Sequence, residues 1–417
     1  MQNATSEVRT SVKGLDLGMF VCRLDRPWLE ADFPLEGLLI KTVAEVQKLQ
    51  SVCAHVYLDT TRGASPELRY MIFDPPSLVQ EARAREEIEA LRTTQWAIER
   101  AFADELPQAD AAHALLGQNI RELMGDLAAK RSVDLPRLQY GVEAMVASIL
   151  RNPSAFTWLS EMKRLDDYSY HHAMGCAIWA ASFGRFLGLE KAELNTLALG
   201  GLLFDIGKLQ LPHEMLIAAR PLTGDEHESM KLHVEFGLSM LTKIPNLSPG
   251  IIEMVATHHE RHDGSGYPRG LRGTEIPIFG RIMGLVDSYD AMTSSRPYAS
   301  TRSPHGAVKE LYESRGSLFQ AELVEQFIQA CGIYPTGSLV ELSSGEVGVV
   351  TEVHSLKRLR PRVMLLLGAD KAPLQSFQEI DLSQVGEETP NGDSPLAVKC
   401  SLPSGAYGIR ASELFLD

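Results

Sequence analysis

The sequence has few cysteines, and they are scattered. The five are Cys22, Cys53, Cys176, Cys331 and Cys400, and no two of them form a C-x-x-C pair. An odd number of cysteines at wide spacing predicts neither a disulfide framework nor a zinc ribbon. We therefore expect the protein to work in a reducing compartment.

Long apolar runs are also missing. The stretch LNTLALGGLLFDIG, residues 194–207, reaches a charged residue too soon to cross a hydrocarbon core. The first residues, MQNATSEVRTSVKG, have neither the basic flank nor the apolar core of a secretory signal. The expectation is a cytoplasmic protein without a membrane span.

The sequence has fewer basic than acidic residues. The formal net charge is -14, so a broad basic face for DNA is not expected. An anionic ligand would need a local basic pocket. Basic residues do gather near the histidine-rich part of the chain: Lys208, Arg269, Arg272, Arg281 and Arg296.

The chain of 417 residues predicts two to four structural units. Short apolar runs separated by turn residues predict a small α+β domain over residues 1–75. Residues 77–106 contain neither Pro nor Gly and follow Asp-Pro-Pro, which predicts one long helix with Ser77 as its N-cap. Its sparse apolar positions leave two alternatives open, a partly solvated helix and a helix paired with a second copy in a homodimer.

The remaining chain divides by composition. We expect a helical linker over 76–135, a helical domain over 136–333 and a β-rich C-terminal appendage over 334–417, in which SSGE at 343–346 is a hairpin candidate. The predicted fold class is therefore mainly α, a helical bundle between a small α+β domain and a small β-rich part.

The residues with metal-binding or catalytic side chains lie mostly in the predicted helical domain. Eight of the twelve histidines lie between His171 and His262, interspersed with acidic residues. Mixed imidazole and carboxylate ligands suit iron, manganese, nickel or zinc. Asp205 ends an apolar helix, where a buried carboxylate is costly unless it is paired or bound to a metal. His258 and His259, adjacent on a predicted helix, should point about 100° apart and so suit two metals, or one metal and a substrate.

Four segments in order, FDIGK, MKLHVEFG, HHERHDGSGYPRGLRG and IPIFGRIMGLVDSYDAMTSSRPY, resemble the HD-GYP family, a branch of the HD phosphohydrolases. The resemblance covers residues 160–330. It implies a helical bundle that holds divalent metals and hydrolyses cyclic di-GMP to linear pGpG, and in some members onward to GMP, in bacterial signalling.

The resemblance also implies roles for particular residues. Asp205 would bridge two metals and, with Lys208, would be catalytic. The substrate-side residues would be Lys208, Gly266, Tyr267, Pro268 and Arg296. The implied metal ligands are His172, Asp205, His233, His258, His259 and Asp287.

The sequence departs from the family pattern at its defining dyad, which is here Phe204-Asp205. A phenyl ring cannot coordinate a metal. The first metal would keep His172, Asp205 and Asp287 with waters, and the second would keep Asp205 and the later histidines. We expect two divalent transition-metal ions, iron, manganese or similar, with a weak first site.

Three functions remain open on the sequence. The preferred hypothesis is a metal-dependent cyclic di-GMP phosphodiesterase. A catalytically weakened sensor of cyclic dinucleotides, or a module that docks signalling proteins through the GYP loop, is favoured by Phe204. An HD-type phosphohydrolase acting on other nucleotides ranks last, because it would not need the DGSGYPRGLRG loop. Residues 1–75 loosely resemble a domain of unknown function often found ahead of HD-GYP domains.

Overall fold

The computed structural model describes residues 7–25, 37–67, 70–72, 86–128, 134–162, 168–218, 220, 222–294, 302–354, 357, 359–385, 396–403 and 405–409. The chain divides into two compact units, Met1–Pro75 and Pro76–Asp417.

The first unit is a four-stranded antiparallel sheet with one helix. Its elements are β1 (Glu7–Ser11), β2 (Phe20–Leu24), β3 (Leu38–Leu39), α1 (Val43–Val52) and β4 (His55–Asp59). The strand order is β1-β4-β2-β3. Thr42 and Glu45 form a capping box at the start of α1, which fixes where the helix begins. The α+β prediction for this part is confirmed.

The second unit begins with helices. They are α2 (Phe102–Ala128), α3 (Leu135–Arg151), α4 (Pro153–Met162), α5 (Tyr168–Leu187), α6 (Lys191–Leu203), α7 (His213–Leu216), α8 (Gly224–Lys231), α9 (His233–Leu241), α10 (Pro249–Thr257), α11 (Ile278–Thr293), α12 (Pro304–Glu313) and α13 (Ala321–Cys331). Across the described ranges, no helix has both the length and the apolar character needed to cross a membrane.

The long helix predicted for residues 77–106 is wrong in its middle. The predicted N-cap Ser77 lies outside the described residues, 86–90 are helical, and 92–101 are not. The backbone N–H groups of Thr93 and Thr94 donate to Gly188 O at 3.1 and 3.0 Å, and Trp96 Nε1 donates to Leu189 O. These hydrogen bonds to the end of α5 replace helical ones, and β-branched threonines have little helical preference to oppose the change.

The C-terminal part of this unit is a five-stranded antiparallel sheet. Its strands are β5 (Leu339–Leu342), β6 (Val347–Glu352), β7 (Arg362–Leu367), β8 (Pro373–Asp381) and β9 (Val398–Leu402), in the order β8-β7-β6-β5-β9. Residues 343–346 join β5 to β6, as SSGE predicted. Leu339 and Val349 belong to the helical core, whereas Val340 and Val350 form a separate core on the other face of the sheet. Both faces of the sheet are therefore buried at its central strands β5, β6 and β7.

Close backbone packing brings α9 against the turn after α6. A Cβ atom on Gly207 would lie 1.9 Å from His233 O and 2.4 Å from Gly237 N, so a larger residue would push α9 away. Glycine at this position places His233 beside Asp205, which precedes the 3₁₀ helix Ile206–Gln210.

Two Glu–Arg pairs that join α2 to α3 give a test of the helix packing. Glu105 is fully buried and bonds Arg151 and Ser148 at 2.6–2.8 Å, whereas Glu122 pairs with Arg137 at the surface. We expect Glu105→Gln to lower the free energy of unfolding by about 3 kcal/mol. The matched Glu122→Gln should cost under about 1 kcal/mol. Urea unfolding measures both, and equal effects would contradict the assignment.

The same pair predicts a pH dependence. Burial opposes ionisation of Glu105, but the hydrogen bonds from Arg151 and Ser148 outweigh it and lower the pKa of this carboxyl group. A carboxyl group whose pKa is lower in the folded than in the unfolded protein stabilises the fold at pH values above the unfolded-state pKa. This stabilisation is lost as the pH falls through the folded-state pKa. The difference between native protein and Glu105→Gln should therefore shrink in acid.

Candidate metal centre

Asp205 lies at the centre of the predicted ligands. It follows the buried helix α6, and its side chain is only 15% exposed. Its Oδ1 is 3.3 Å from His233 Nε2 and 3.9 Å from His258 Nε2. Among the described residues, this buried oxygen has no hydrogen-bond partner. A buried carboxylate oxygen in this state is a strong candidate for a metal ligand.

Backbone carbonyls fix the tautomers of the two histidines. His233 Nδ1 lies 2.6 Å from Met230 O, and His258 Nδ1 lies 2.9 Å from Val255 O. A carbonyl only accepts, so Nδ1 carries the proton in each ring and Nε2 presents a lone pair. Burial lowers the pKa of His233, and burial together with His233 lowers the pKa of His258 to about 4. Both rings are therefore neutral at physiological pH.

The two lone pairs face each other. His233 Nε2 and His258 Nε2 are 3.3 Å apart, next to the oxygen of Asp205. Three electron-rich atoms at these distances repel one another, and a cation between them turns the repulsion into attraction. The donor set of two imidazoles and a carboxylate suits a first-row transition metal. The residues therefore fit a divalent ion.

His259 joins the same group, the one in which the family resemblance places it. Ligand atoms of Asp205, His233, His258 and His259 all lie within 4.8 Å of one another. Because α10 ends at Thr257, the adjacent histidines sit at the helix end and in the following turn. A pair that leaves the helix is free to converge.

His172 and two acids form the neighbouring half of the site. His172 Nε2 is 3.0 Å from Asp287 Oδ1 and 3.8 Å from Asp205 Oδ2. On its other side, His172 Nδ1 is 2.8 Å from Asp290 Oδ2. Asp290 orients the ring of His172 and directs its Nε2 toward Asp205 and Asp287, the arrangement in which a carboxylate supports a metal-bound imidazole.

Asp290 was missed by the sequence reasoning. It stands three residues after Asp287 on α11, within the segment VDSYDAM, and is fully buried. Spacing of three places both acids on one helix face, and that was the available signal. Burial would raise the pKa of Asp287, but the neighbouring imidazoles, His172 foremost, hold that pKa well below its usual range.

Phe204 fills the space between the two halves. Its ring is fully buried and makes edge contacts with His172 and His258, at centroid distances of 5.7 and 5.0 Å. The ring thus occupies a position from which a side chain with a donor atom could reach the cluster. Because a phenyl ring has no donor atom, the half of the site that contains His172 has one ligand fewer.

Of the two predicted phosphate-binding cations, the structure describes Lys208 but not Arg296. Lys208 Nζ hydrogen-bonds Asp205 Oδ2, which makes the lysine a direct neighbour of the cluster. Burial opposes ionisation of Asp205, and Lys208 is the largest of the influences that nevertheless lower its pKa. Arg296 lies outside the described residues. The role of both in binding phosphate stays a prediction.

The loop after His259 is held by a buried glutamate. Glu260, 4% exposed, accepts hydrogen bonds from Arg269 N and Leu271 N at 2.8 and 2.9 Å. A Cβ atom on Gly266 would lie within 2.5 Å of backbone atoms of residues 259–261, so the loop needs glycine to fold back here.

Within that loop, Tyr267 stacks on His259 with ring centroids 4.6 Å apart, and a backbone hydrogen bond from Tyr267 N to His259 O ties the two residues together. Pro268 follows Tyr267 directly. The sequence reasoning assigned the tyrosine and missed Glu260, which holds the loop without reaching the cluster.

Three family models match the chain. The HD domain matches residues 150–323, a domain of unknown function (DUF3391) matches 7–137, and a KOW domain associated with HD domain matches 339–386. HD-domain phosphohydrolases are metal-dependent, and the histidine–aspartate cluster lies within the matched HD range. The class is therefore that of HD-domain hydrolases.

Characterised relatives narrow the class. Cyclic di-GMP phosphodiesterase PA4108 of Pseudomonas aeruginosa is 31% identical over 382 residues, 91% of this chain and 90% of the relative. A cyclic di-GMP phosphodiesterase of Thermotoga maritima is 36% identical over 174 residues, 41% of this chain and 46% of the relative. The response regulator RpfG of Xanthomonas campestris, also a cyclic di-GMP phosphodiesterase, is 37% identical over 160 residues, 36% of this chain and 42% of the relative. The chain belongs to the HD-GYP family.

Asp290 offers a test of the support for His172. Asp290→Asn keeps the size of the side chain but removes the charge that holds His172 Nδ1–H, so metal affinity should fall about 10–100-fold. Competition with a chromophoric chelator measures this affinity. Cys176→Ala is the matched control, since Cys176 Sγ also faces His172 Nδ1 but at 3.8 Å, and it should change little. Equal losses in both variants would contradict the role of Asp290.

Proposed function

We propose that the protein is a metal-dependent phosphodiesterase that hydrolyses cyclic di-GMP to linear pGpG, with further hydrolysis to GMP as a second step. The proposal is supported by the activity for which the relatives are named, and the Pseudomonas protein aligns over nearly the whole chain. The observation that carries it is the convergence of neutral His233 and His258 on the buried oxygen of Asp205.

Two divalent transition-metal ions, iron, manganese or similar, are part of the proposal. His233, His258, His259 and Asp205 would hold one ion, and His172, Asp287 and Asp205 the other. The set that contains His172, which is the first metal site of the sequence analysis, has three ligands rather than four, so it should bind more weakly. Bound ions would activate a water molecule for attack on phosphorus and offset charge on the phosphate.

The chain's own groups would position the substrate. Lys208 brings a fixed positive charge beside Asp205, where a phosphate oxygen would gain a charge-assisted hydrogen bond. Tyr267, held by its stacking on His259, would form one wall of the site with Gly266 and Pro268. Arg296 would add a second cation for phosphate, on the sequence pattern alone.

The domain bounds, the location in the cell and the partners belong to the same proposal. Residues 136–333 would form the catalytic domain, 76–135 a helical linker and 334–417 a β-rich appendage, with 1–75 as a small α+β domain of unknown role. The cysteine pattern supports a cytoplasmic location. Signalling proteins that dock on the GYP loop, and a homodimer, are proposed partners on the sequence alone.

A catalytically weakened cyclic dinucleotide sensor or docking module is the second candidate function. Phe204 favours it, because a buried ring replaces a ligand and leaves the binding surface otherwise intact. The two functions differ in whether product appears, and both predict that the dinucleotide binds.

Metal counting tests the effect of Phe204. Phe204→His restores an imidazole between His172 and His258, so the metal content of protein purified without chelator should rise by about one equivalent. Phe204→Leu, which keeps the position apolar, should leave it unchanged. Elemental analysis measures both. Equal metal content in the two variants would mean that the ring of Phe204 does not limit metal binding at His172.

A chromatographic time course of cyclic di-GMP hydrolysis tests the function. With Mn²⁺ or Fe²⁺ supplied anaerobically, the native protein should form linear product, and Asp205→Asn should form none because both ligand sets share this carboxylate. Product from Phe204→His but not from the native protein would instead support the sensor.

A further inference from the structure

The turn after α10 carries two adjacent histidines of the candidate metal centre, and one arginine bonds the backbone of that turn. Arg261 is partly buried. Its Nη1 donates to His258 O at 3.0 Å and to Glu260 O at 3.1 Å. These two carbonyl groups flank His259 in the chain. A single side-chain nitrogen therefore holds the backbone on both sides of His259.

The end of a helix leaves carbonyl groups without helical partners, and each of them needs another donor. In the turn after α10, His259 O accepts a hydrogen bond from Tyr267 N at 3.2 Å. The carbonyls of His258 and Glu260 instead accept from the side chain of Arg261. Without the arginine these two bonds would be lost, and the turn would be free to take other conformations.

The guanidinium group of Arg261 lies where the turn meets α11. A Cβ atom on Gly284 of α11 would lie 2.6 Å from His258 O and 3.4 Å from Arg261 Nη1. Glycine at this position thus leaves the space in which the carbonyl and the guanidinium meet. The Cζ atom of Arg261 is also 5.3 Å from the ring centroid of Phe319, a distance at which a cation is attracted to an aromatic ring. These contacts hold the arginine in place, so it can in turn hold the turn.

We propose that Arg261 is a positioning residue for the metal centre and makes His258 and His259 converge on one ion. This inference rests on the proposed metal centre. The ring of His258 is held through its own Nδ1 by Val255 O, whereas the backbone of His259 lies between the two carbonyls that Arg261 bonds. Groups that orient a ligand without touching the ion change the affinity for metal by about 10–100-fold.

Binding of Co²⁺ tests the inference, because the visible absorption of the bound ion depends on its ligands and requires no substrate. In the full chain carrying Arg261→Met, the affinity for Co²⁺ should fall about 10–100-fold, and the absorption spectrum should change. Arg261→Lys should restore most of the affinity and the native spectrum, since one ammonium nitrogen can donate to both carbonyls.

Arg315→Met is the matched control. Arg315 Nη1 donates to Tyr312 O at 2.7 Å on the exposed surface at the end of α12, which is the same kind of bond away from the ligands. This variant should leave both the affinity for Co²⁺ and the spectrum unchanged. If Arg261 only stabilised the fold, Arg261→Met would lower the stability in urea but keep the native affinity and spectrum, and that result overturns the inference.

A second variant applies if Arg261→Met does not fold. Gly284→Ala disturbs the same turn from α11, since the added Cβ atom would displace His258 O, and it should lower the affinity for Co²⁺ in the same way. A folded Gly284→Ala protein with native affinity and spectrum overturns the inference while leaving the metal centre intact. Native protein that binds no Co²⁺ would instead overturn the proposed metal centre, and the inference with it.

Discussion

The structure around the site depends on the cost of burying the carboxylate of Asp205. An ionised carboxylate in an apolar interior is unstable unless positive charge or hydrogen bonds compensate for it. Lys208 compensates one oxygen. The other faces two neutral imidazole nitrogens, which carry lone pairs and offer no proton. A divalent cation would complete this arrangement, and its ligands come from three places in the fold: the residue after Phe204 at the end of α6, the start of α9 and the end of α10.

Those elements are held in place by contacts that do not touch the metal position. The glycine at 207 lets α9 approach, carbonyls of Met230 and Val255 fix the imidazole tautomers, and Asp290 holds His172. Supporting groups of this kind set the orientation of the ligands and hence the affinity for the metal. The site is therefore prepared by the packing of the helices.

Phe204 divides the site into unequal halves. One half keeps three histidines and a shared carboxylate, whereas the other keeps one histidine and two carboxylates beside an apolar ring. The ring continues the apolar run of α6, which is consistent with its complete burial. In the proposed two-metal site, the same residue preserves the helical core and weakens one position for metal.

The residues that gather around Asp205 could be predicted from sequence because metal chemistry restricts residue type and the motifs fix their order. The supporting residues could not be predicted in the same way. Asp290 supports His172 and Glu260 holds a loop, and only Asp290 carries a sequence signal, its spacing of three from Asp287. The geometry of His258 and His259 depended on where α10 ends. The break at 92–101 arises from hydrogen bonds to Gly188, a partner distant in sequence.

Anomalous diffraction from crystals grown with Mn²⁺ tests the central claim most directly, because it locates a metal ion without relying on activity. We predict a peak at coordination distance from Asp205 Oδ1, His233 Nε2 and His258 Nε2, with a weaker peak beside His172 and Asp287. A strong peak elsewhere on the chain, with none at Asp205, would contradict the account.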